Sequence, residues 1–395
     1  LSAPTDAAPT ASPPVVDLTR HPAPHPFVRR GLVLAAPRLP NSAIVTLRTP
    51  EGVVLGDGFW NGTSDIAVRR LTDGDVRFGP ATLAAALARA VELRRAVPGL
   101  LEQDALRVVH AEGDQLSGLV VDRYGEVLVL ELHSAGWLAL AEQVAAILHG
   151  LLGTRHHRTL MSQRTAHLEG CAPIDRATPG SPRSLKLKEH GVRWQVDFET
   201  AHKTGFFCDQ RDNRARFAQW AAGDVLDVCA CTGGFAVATA VLGQPTSVTG
   251  IELDEVALAV AERNAHLNQV RVSWAQADAF DWLRQVAAAG RRFHSVVVDP
   301  PKFIPTRAEV ETGRGKYHDL NRLALRVLHP GGLLLTCSCS GLLTREDLLD
   351  LVSTAARKEG RTARLLASTG AGPDHPVLLN CPESEYLKAL WMRVW

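Results

Sequence analysis

From about residue 205 to its end, this chain alternates short apolar runs with amphipathic stretches, and few folds accommodate that rhythm. VLDVCA, SVTGIEL, VRVSWAQAD, SVVVDPP and GLLLTCSCS read as five strands. Gly234–Val241, Asp254–Asn268, Ala279–Ala288 and about Lys316–Val327 read as helices between them, and Thr344–Lys358 as a helix after the last. Two more strands, about Ala363–Ala367 and Tyr386–Val394, would close the set. Parallel strands need a long crossover, and a helix that packs back on the sheet supplies it. The expected fold class is therefore α/β, with a Rossmann-like doubly wound sheet at the C-terminus.

The first half reads differently. Residues 1–25 are rich in Ala, Pro, Ser and Thr without an apolar core, which suggests a flexible tail rather than a secretory signal. Over 26–80, SAIVTLRT, GVVLGDGFW and DIAVRRLT are β-branched runs between turn residues, so a small and shortened β-barrel is expected. Residues 81–195 read as an α+β middle domain. It has helices at about Thr82–Val97 and Leu138–Leu152, strands in LRVVHAE, GLVVDRY and VLVLELHS, another strand near His157–Ser162, and a hairpin turning at His190–Gly191. Residues 196–395 form the last domain.

Lys+Arg number 43 against 42 Asp+Glu, so a broadly basic nucleic-acid coat is excluded, although local patches are not. RHHRTLMSQRTAH (155–167) and SPRSLKLKEH (181–190) are the best such patches for touching phosphates. No apolar run approaches the ~18 residues that span a bilayer, so no membrane is expected as a partner. Seven cysteines, an odd number, do not make a disulfide scaffold, and a reduced, cytoplasmic compartment fits them. The pairs Cys229/Cys231 and Cys337/Cys339 lack the wider spacings and nearby histidines of zinc sites, so no metal is expected.

Chemistry collects where the strands end. The first runs into DVCACTGGF, Asp227 to Phe235, a Gly-containing turn that opens a helix at the carboxyl edge of the sheet. A nucleotide-like ligand binds there in open α/β sheets. G-x-G-x-x-G and G-K-[ST] are both absent, which argues against a dinucleotide and against a P-loop. The second strand ends in Glu252, placed to accept from both hydroxyls of a ribose, and the third in Asp278-Ala279, placed to receive an adenine amino group. Each acid taken singly is an ordinary turn residue. Three at consecutive strand ends point to a ribose and an adenine without a pyrophosphate, which is S-adenosylmethionine.

The fourth strand ends in Asp299-Pro300-Pro301-Lys302-Phe303, a stiff turn that holds Asp299 at the sheet edge. An Asp there can accept from the exocyclic amino group of cytosine. The fifth ends in Thr336-Cys337-Ser338-Cys339, with Cys339 nearer the crevice. Carbon 5 of a pyrimidine attacks a sulfonium methyl only after a thiolate has added to carbon 6. The plain alternative is a buried core cysteine. Beside the donor site and the DPP turn, the nucleophile reading leads.

HKTGFFCDQRDNR (202–214), DVCACTGGFAVATA (227–240), VVVDPPKF (296–303), TCSCSGLL (336–343), DHPV (374–377) and EYLK (385–388) together resemble the RlmI-like family of class I 23S rRNA 5-methylcytosine methyltransferases. The resemblance runs from about Leu106 to the C-terminus. It implies a PUA domain, a middle domain and a class I methyltransferase domain, with 23S rRNA or its large-subunit precursor as partner. A homodimer is compatible with it, but the sequence does not read oligomeric state. It also implies that Cys339 is the nucleophile and that HKTGFFCDQRDNR folds over the donor, with Phe207, Gln210 and Arg211 near it. Cys231, Thr232 and Gly233 would lie near the methionine part of the donor. Lys302 stands where two-cysteine enzymes place a second cysteine and is counted with the catalytic set. Methylation of uridine C5 or guanine, and an RNA-binding assembly factor without turnover, are the rival readings.

Overall fold

The computed structural model describes residues 12–198 and 206–395. The C-terminal half is a seven-stranded sheet: β1 (Asp224–Val228), β2 (Ser247–Glu252), β3 (Ser273–Gln276), β4 (Phe293–Val298), β5 (Leu328–Ser338), β6 (Ala363–Thr369) and β7 (Lys388–Val394). Their order across the sheet is 3-2-1-4-5-7-6, and β7 runs antiparallel to both of its neighbours. The strand order reverses between β1 and β4, where the ligand crevice of a doubly wound sheet opens.

Six helices cover the sheet: α1 (Arg211–Trp220), α2 (Gly234–Leu242), α3 (Glu255–Leu267), α4 (Ala279–Ala288), α5 (Val310–Arg326) and α6 (Arg345–Lys358). Leu283, Leu320, Leu323, Leu348 and Val352 from α4, α5 and α6 pack on one face against Val296, Val298 and Leu334. Phe217 and Phe235 from α1 and α2 pack on the other against Val297, Leu335 and Trp391. Strands sandwiched in this way need no alternation of polar residues, which is why VLDV and SVVV are continuously apolar or buried. Side-chain caps start three helices: Asp254 for α3, Asp278 for α4 and Thr344 for α6.

The N-terminal sheet has six strands where the sequence suggests three. In order across the sheet they are Phe27–Arg29, Ile66–Arg70, Val54–Trp60, Ile44–Arg48, Val15–Leu18 and Val33–Ala35. The two outermost strands are joined by only three residues, Arg30–Leu32. Three residues reach ~10 Å at most, so the sheet must curl until its edges nearly meet. Val16, Leu18, Val28, Val45, Leu47 and Val68 fill the inside. Val15–Leu18 lies within the expected tail, and its Asp17 forms an ion pair with Arg48 of the neighbouring strand. Residues 1–11 of that tail lie outside the described residues.

A five-stranded mixed sheet follows, with Ile174–Ala177, His156–Met161, Val127–Leu132, Leu119–Tyr124 and Ala105–His110 in order across it. Helices Pro80–Arg95 and Ala141–Leu152 cover one face. The hairpin Ser184–Glu189/Val192–Asp197 turns at His190 and Gly191, both at positive φ. Its backbone donates from Arg193 N to Asn268, the residue after α3, and from Gln195 N to Asn264 within it. One apolar cluster runs from Tyr124 and Val127 through Trp194 and Phe206 to Val237 and Ala265. The middle sheet and the C-terminal sheet therefore share a core, which fixes the segment entering α1.

Candidate active site

The turn between β1 and α2 is built on backbone conformations that side chains rarely adopt. Cys229, Cys231 and Gly233 have φ of 64°, 49° and 83°. Only glycine fits the third: a Cβ there would lie about 3 Å from Trp274, Ala261 and Val237. Two non-glycine residues in the left-handed region store strain of ~1–3 kcal/mol each, of the kind found at ligand clamps. The strain is held by Glu252, whose Oε2 accepts from Cys231 N at 2.7 Å while Oε1 accepts from Leu253 N and Asp254 N.

Asp227 lies beneath this turn, 1% exposed, and its Oδ2 accepts from Ala236 N in the first turn of α2. Its Oδ1 is buried without a hydrogen-bond partner. Burial pushes the carboxyl up to about 8, and the charges of Asp299 and Glu252 add to that rise. The charges of Glu252, Asp299, Asp227 and Asp278 all reach Cys229, whose thiol is driven up chiefly by burial. Burial likewise pushes Cys231 up to about 12. Burial and the crowding of four acidic groups around one turn keep Asp227 protonated near neutral pH and leave negative charge on the others, which a cationic ligand relieves. S-adenosylmethionine carries a sulfonium and an ammonium, so the residues present fit it.

The structure brings several of the expected residues together. Gln210 Nε2 donates to Asp299 Oδ2 at 3.1 Å, which joins the segment entering α1 to the end of β4. Asn213 Nδ2 donates to Gln210 Oε1 at 2.7 Å and orients that amide. Val298 of β4 pairs with Thr336 of β5, so Asp299 and Cys339 both stand past the carboxyl ends of adjacent parallel strands. Cys337 is fully buried, whereas Cys339 is half-buried just beyond β5. Asp278 is exposed and caps α4 through Oδ1, which leaves Oδ2 outside the cap. Ala279 begins that helix, half-buried against the core under α4 and α5. Lys302 is exposed on the turn after the two prolines.

Other expected residues have partners within the protein. The Arg211 guanidinium binds the Asp374 carboxylate through both terminal nitrogens at 3.0 Å, with its Nε on Asp212. Three of its five N–H groups thus go to acids, and they fix the segment that opens α1. Phe207 presents its carbonyl to Arg214 Nη1 at 2.8 Å. Thr232 gives its carbonyl to Asn264 Nδ2 at 3.0 Å, tying the turn to α3. His202–Gly205 of HKTGFFCDQRDNR lie outside the described residues.

Sequence reasoning assigned no role to a set of buried groups beside these. Tyr317 Oη is 2.9 Å from Ser340 Oγ, and Tyr386 Oη donates to Asp209 Oδ2 at 2.6 Å. Arg214 grips Glu189 of the hairpin through three hydrogen bonds. EYLK takes in Tyr386, but no spacing rule connects residues so far apart in the chain. The basic stretch at 155–167 is partly neutralised by neighbouring acids, with Arg158 on Asp175 and Arg155 on Glu126.

A His25/Cys381/Glu383 trio has the composition of a metal site. His25 Nδ1, however, accepts from Phe27 N, which leaves the ring proton on Nε2, facing Glu383. A protonated nitrogen is not a ligand, and the trio instead links the barrel to the C-terminal loop. Among the described residues, no helix is long and apolar enough to cross a membrane.

A model of S-adenosylmethionine-dependent methyltransferases matches residues 169–386, which takes in every strand from β1 to β5 and the acidic turn. The chain belongs to that family. The methyl donor of this methyltransferase is S-adenosylmethionine. It is 35% identical over 356 residues to ribosomal RNA large subunit methyltransferase I of Shewanella amazonensis, covering 87% of this chain and 89% of that protein. It is 33% identical over 384 residues to the protein of the same name from Salmonella arizonae, covering 94% of each. A solved Streptococcus mutans protein described as a SAM-dependent methyltransferase superposes with a TM-score of 0.78 at 18% identity, covering 90% of this chain and 92% of the other. That last likeness speaks for the fold alone.

Proposed function

We propose that this methyltransferase acts on large-subunit ribosomal RNA and forms 5-methylcytosine in 23S rRNA through a covalent adduct of Cys339. The relatives named ribosomal RNA large subunit methyltransferase I support the substrate class. The observation that carries the chemistry is the pairing of a half-buried cysteine and an aspartate at the ends of adjacent strands, beside the acidic turn. The N-terminal barrel is read as a PUA-like module that holds RNA, 81–195 as a middle domain, and 196–395 as the catalytic domain. The cytoplasm is its proposed compartment.

S-adenosylmethionine, when bound, supplies the electrophilic methyl group. Cys339 adds its sulfur to carbon 6, and the carbon 5–carbon 6 π pair moves to make carbon 5 nucleophilic. Asp299 accepts from the exocyclic amine and selects cytosine over uridine, whose oxygen at that position cannot donate. After carbon 5 has taken the methyl, loss of its proton to a base restores the double bond and expels the sulfur. Glu252 and Asp278 hold the ribose and adenine of the donor.

Purified protein with isotopically labelled donor and unmodified 23S rRNA should place the label in 5-methylcytidine after digestion to nucleosides. Label in 5-methyluridine or a methylguanosine would overturn the cytosine assignment, and tight RNA binding without label would favour the assembly-factor reading.

Two further outcomes concern the donor site. Glu252→Ala removes charge-assisted bonds worth ~1.5–3 kcal/mol, so donor affinity should fall ~10–100-fold by titration calorimetry. Asp227 holds a proton near neutral pH because its carboxyl is raised to about 8. An approaching cation lowers that value, so donor binding should release a proton, and affinity should rise with pH through that value. Calorimetry in buffers of different ionisation enthalpy reads the proton directly. Equal heats in all buffers would sink the electrostatic account of this turn.

A further inference from the structure

The turn that carries Cys339 is fastened by a buried lysine. Lys388 opens β7, pairs with Ser338 across the ladder, and is 3% exposed. Its Nζ donates to Ser340 O at 2.7 Å and to Tyr386 O at 2.8 Å. An ammonium has three protons, so these two bonds leave one for another neighbour. Two carbonyls could be satisfied by a neutral amide, and burying a charge for that purpose alone is costly. The charge therefore calls for an anion.

The neighbours narrow the choice. The charged or ionisable groups that act on this ammonium are Cys339 at the end of β5, Glu385 before β7, Lys302 after β4 and Arg345 at the start of α6. Glu385 is bonded by Arg345, so that carboxylate already has a cation. From α5, Tyr317 also lies within reach of the Cys339 sulfur, with its hydroxyl on Ser340. Cys337, behind them, is driven up by burial and by Asp299, and it is walled off in the core. Burial pushes Lys388 down to about 8, and among the groups that push it back up Cys339 comes first.

We propose that Lys388 is the positioning residue of Cys339: its ammonium holds the sulfur as a thiolate, and its two carbonyl bonds set the turn that aims it. Ionisation sends the thiol proton to solvent and leaves the sulfur pair free to form the bond to carbon 6, while Lys388 keeps its own proton. The idea rests on Cys339 being the nucleophile.

The test is the pH dependence of Cys339 alkylation by iodoacetamide in the full chain, without RNA or donor. Peptide mass spectrometry separates this thiol from the other cysteines. The wild-type midpoint should lie below the ~8.5 of a free cysteine. Lys388→Met should raise it by about one unit or more, roughly tenfold less thiolate at neutral pH, whereas Lys388→Arg should stay near wild type. In methyl transfer, Lys388→Met should lower kcat about tenfold and leave KM for the donor unchanged. A wild-type midpoint at or above 8.5, or a folded Lys388→Met with an unmoved midpoint, overturns the proposal. If the Met variant does not fold, the wild-type midpoint and the Arg variant decide. Alkylation needs no turnover, so an active Cys339→Ala would refute the nucleophile reading while the alkylation midpoints still decide whether Lys388 holds the thiolate.

Discussion

Cys339→Ala is expected to lose methyl transfer by a factor on the order of 10⁴ or more while binding the donor within about threefold of wild type. The split follows from placement. Cys339 stands just past β5 at the open edge of the sheet, whereas the acids proposed to meet the donor stand at the ends of β1, β2, β3 and β4. Truncating a half-buried thiol to a methyl removes one sulfur and leaves those strands untouched. Cys337→Ala is the control. Its thiol is fully buried against Leu335 and Trp391, so its loss leaves a small cavity, costs ~1–2 kcal/mol of stability and spares turnover. RNA carrying 5-fluorocytosine adds a direct readout, because fluorine cannot leave as a proton does, and the sulfur–carbon 6 bond should then persist. A mass shift on the peptide holding residue 339 is the expected product. Wild-type turnover by Cys339→Ala would remove covalent catalysis from this residue altogether.

What the sequence revealed follows from how local each signal is. The hairpin turn at His190–Gly191 was legible because a two-residue loop with positive φ at both positions favours such residues. Helix α4 was legible at both ends because Asp278 caps its start and Gly290 follows its end. Helix α5 was read six residues short. Its first turns hold Gly313 and Gly315, which weaken a helical pattern, yet Gly313 is where the helix crosses Phe303 and Ile304 too closely for a Cβ. Val15–Leu18, Phe27–Arg29 and Val33–Ala35 were missed because three or four residues between prolines carry no periodicity. Their strand character comes from the barrel they close.

The candidate site divides along the same line. Acids at strand ends announce themselves, since each strand is a local pattern and its end a fixed place. Lys388 and Asp374 do not, because the partners that give them meaning lie on other elements. Lys388 meets Ser340 across an antiparallel ladder, and Asp374 meets Arg211 at a separation of 163 residues. Arg211 was read as a donor contact from its local motif, and the fold adds a partner, Asp374, that no local pattern announces.

Asp374 therefore gives the second large effect. Its Oδ1 accepts from Arg211 Nη2 and His375 Nδ1, its Oδ2 from Arg211 Nη1 and Arg107 N, and its carbonyl from Arg94 Nη2. Arg94 lies on the helix Pro80–Arg95, Arg107 on the strand Ala105–His110, and Arg211 opens α1, so one aspartate ties the five-stranded sheet and its helix to the segment that carries Gln210. Asp374→Ala leaves the buried guanidinium of Arg211 with only the exposed Asp212 as counter-ion, and breaking such a buried pair costs ~3–5 kcal/mol. The thermal midpoint should drop by something on the order of 10 °C. Donor binding should weaken with it, because Gln210 loses its support. The pH dependence has a definite sign. Burial by itself raises the Asp374 carboxyl, but the hydrogen bond and charge of His375 and the Arg211 guanidinium overcome it and hold it well below the usual carboxylate range. A carboxyl depressed in the folded state stabilises above its unfolded value of ~3.9 and loses that contribution as pH falls further. Wild type should therefore lose stability below pH ~4 more steeply than Asp374→Asn, whose side chain has no proton to gain. Parallel acid-unfolding curves for the two proteins, or an Asp374→Ala midpoint equal to wild type, would show that the junction is held by something other than this ion pair.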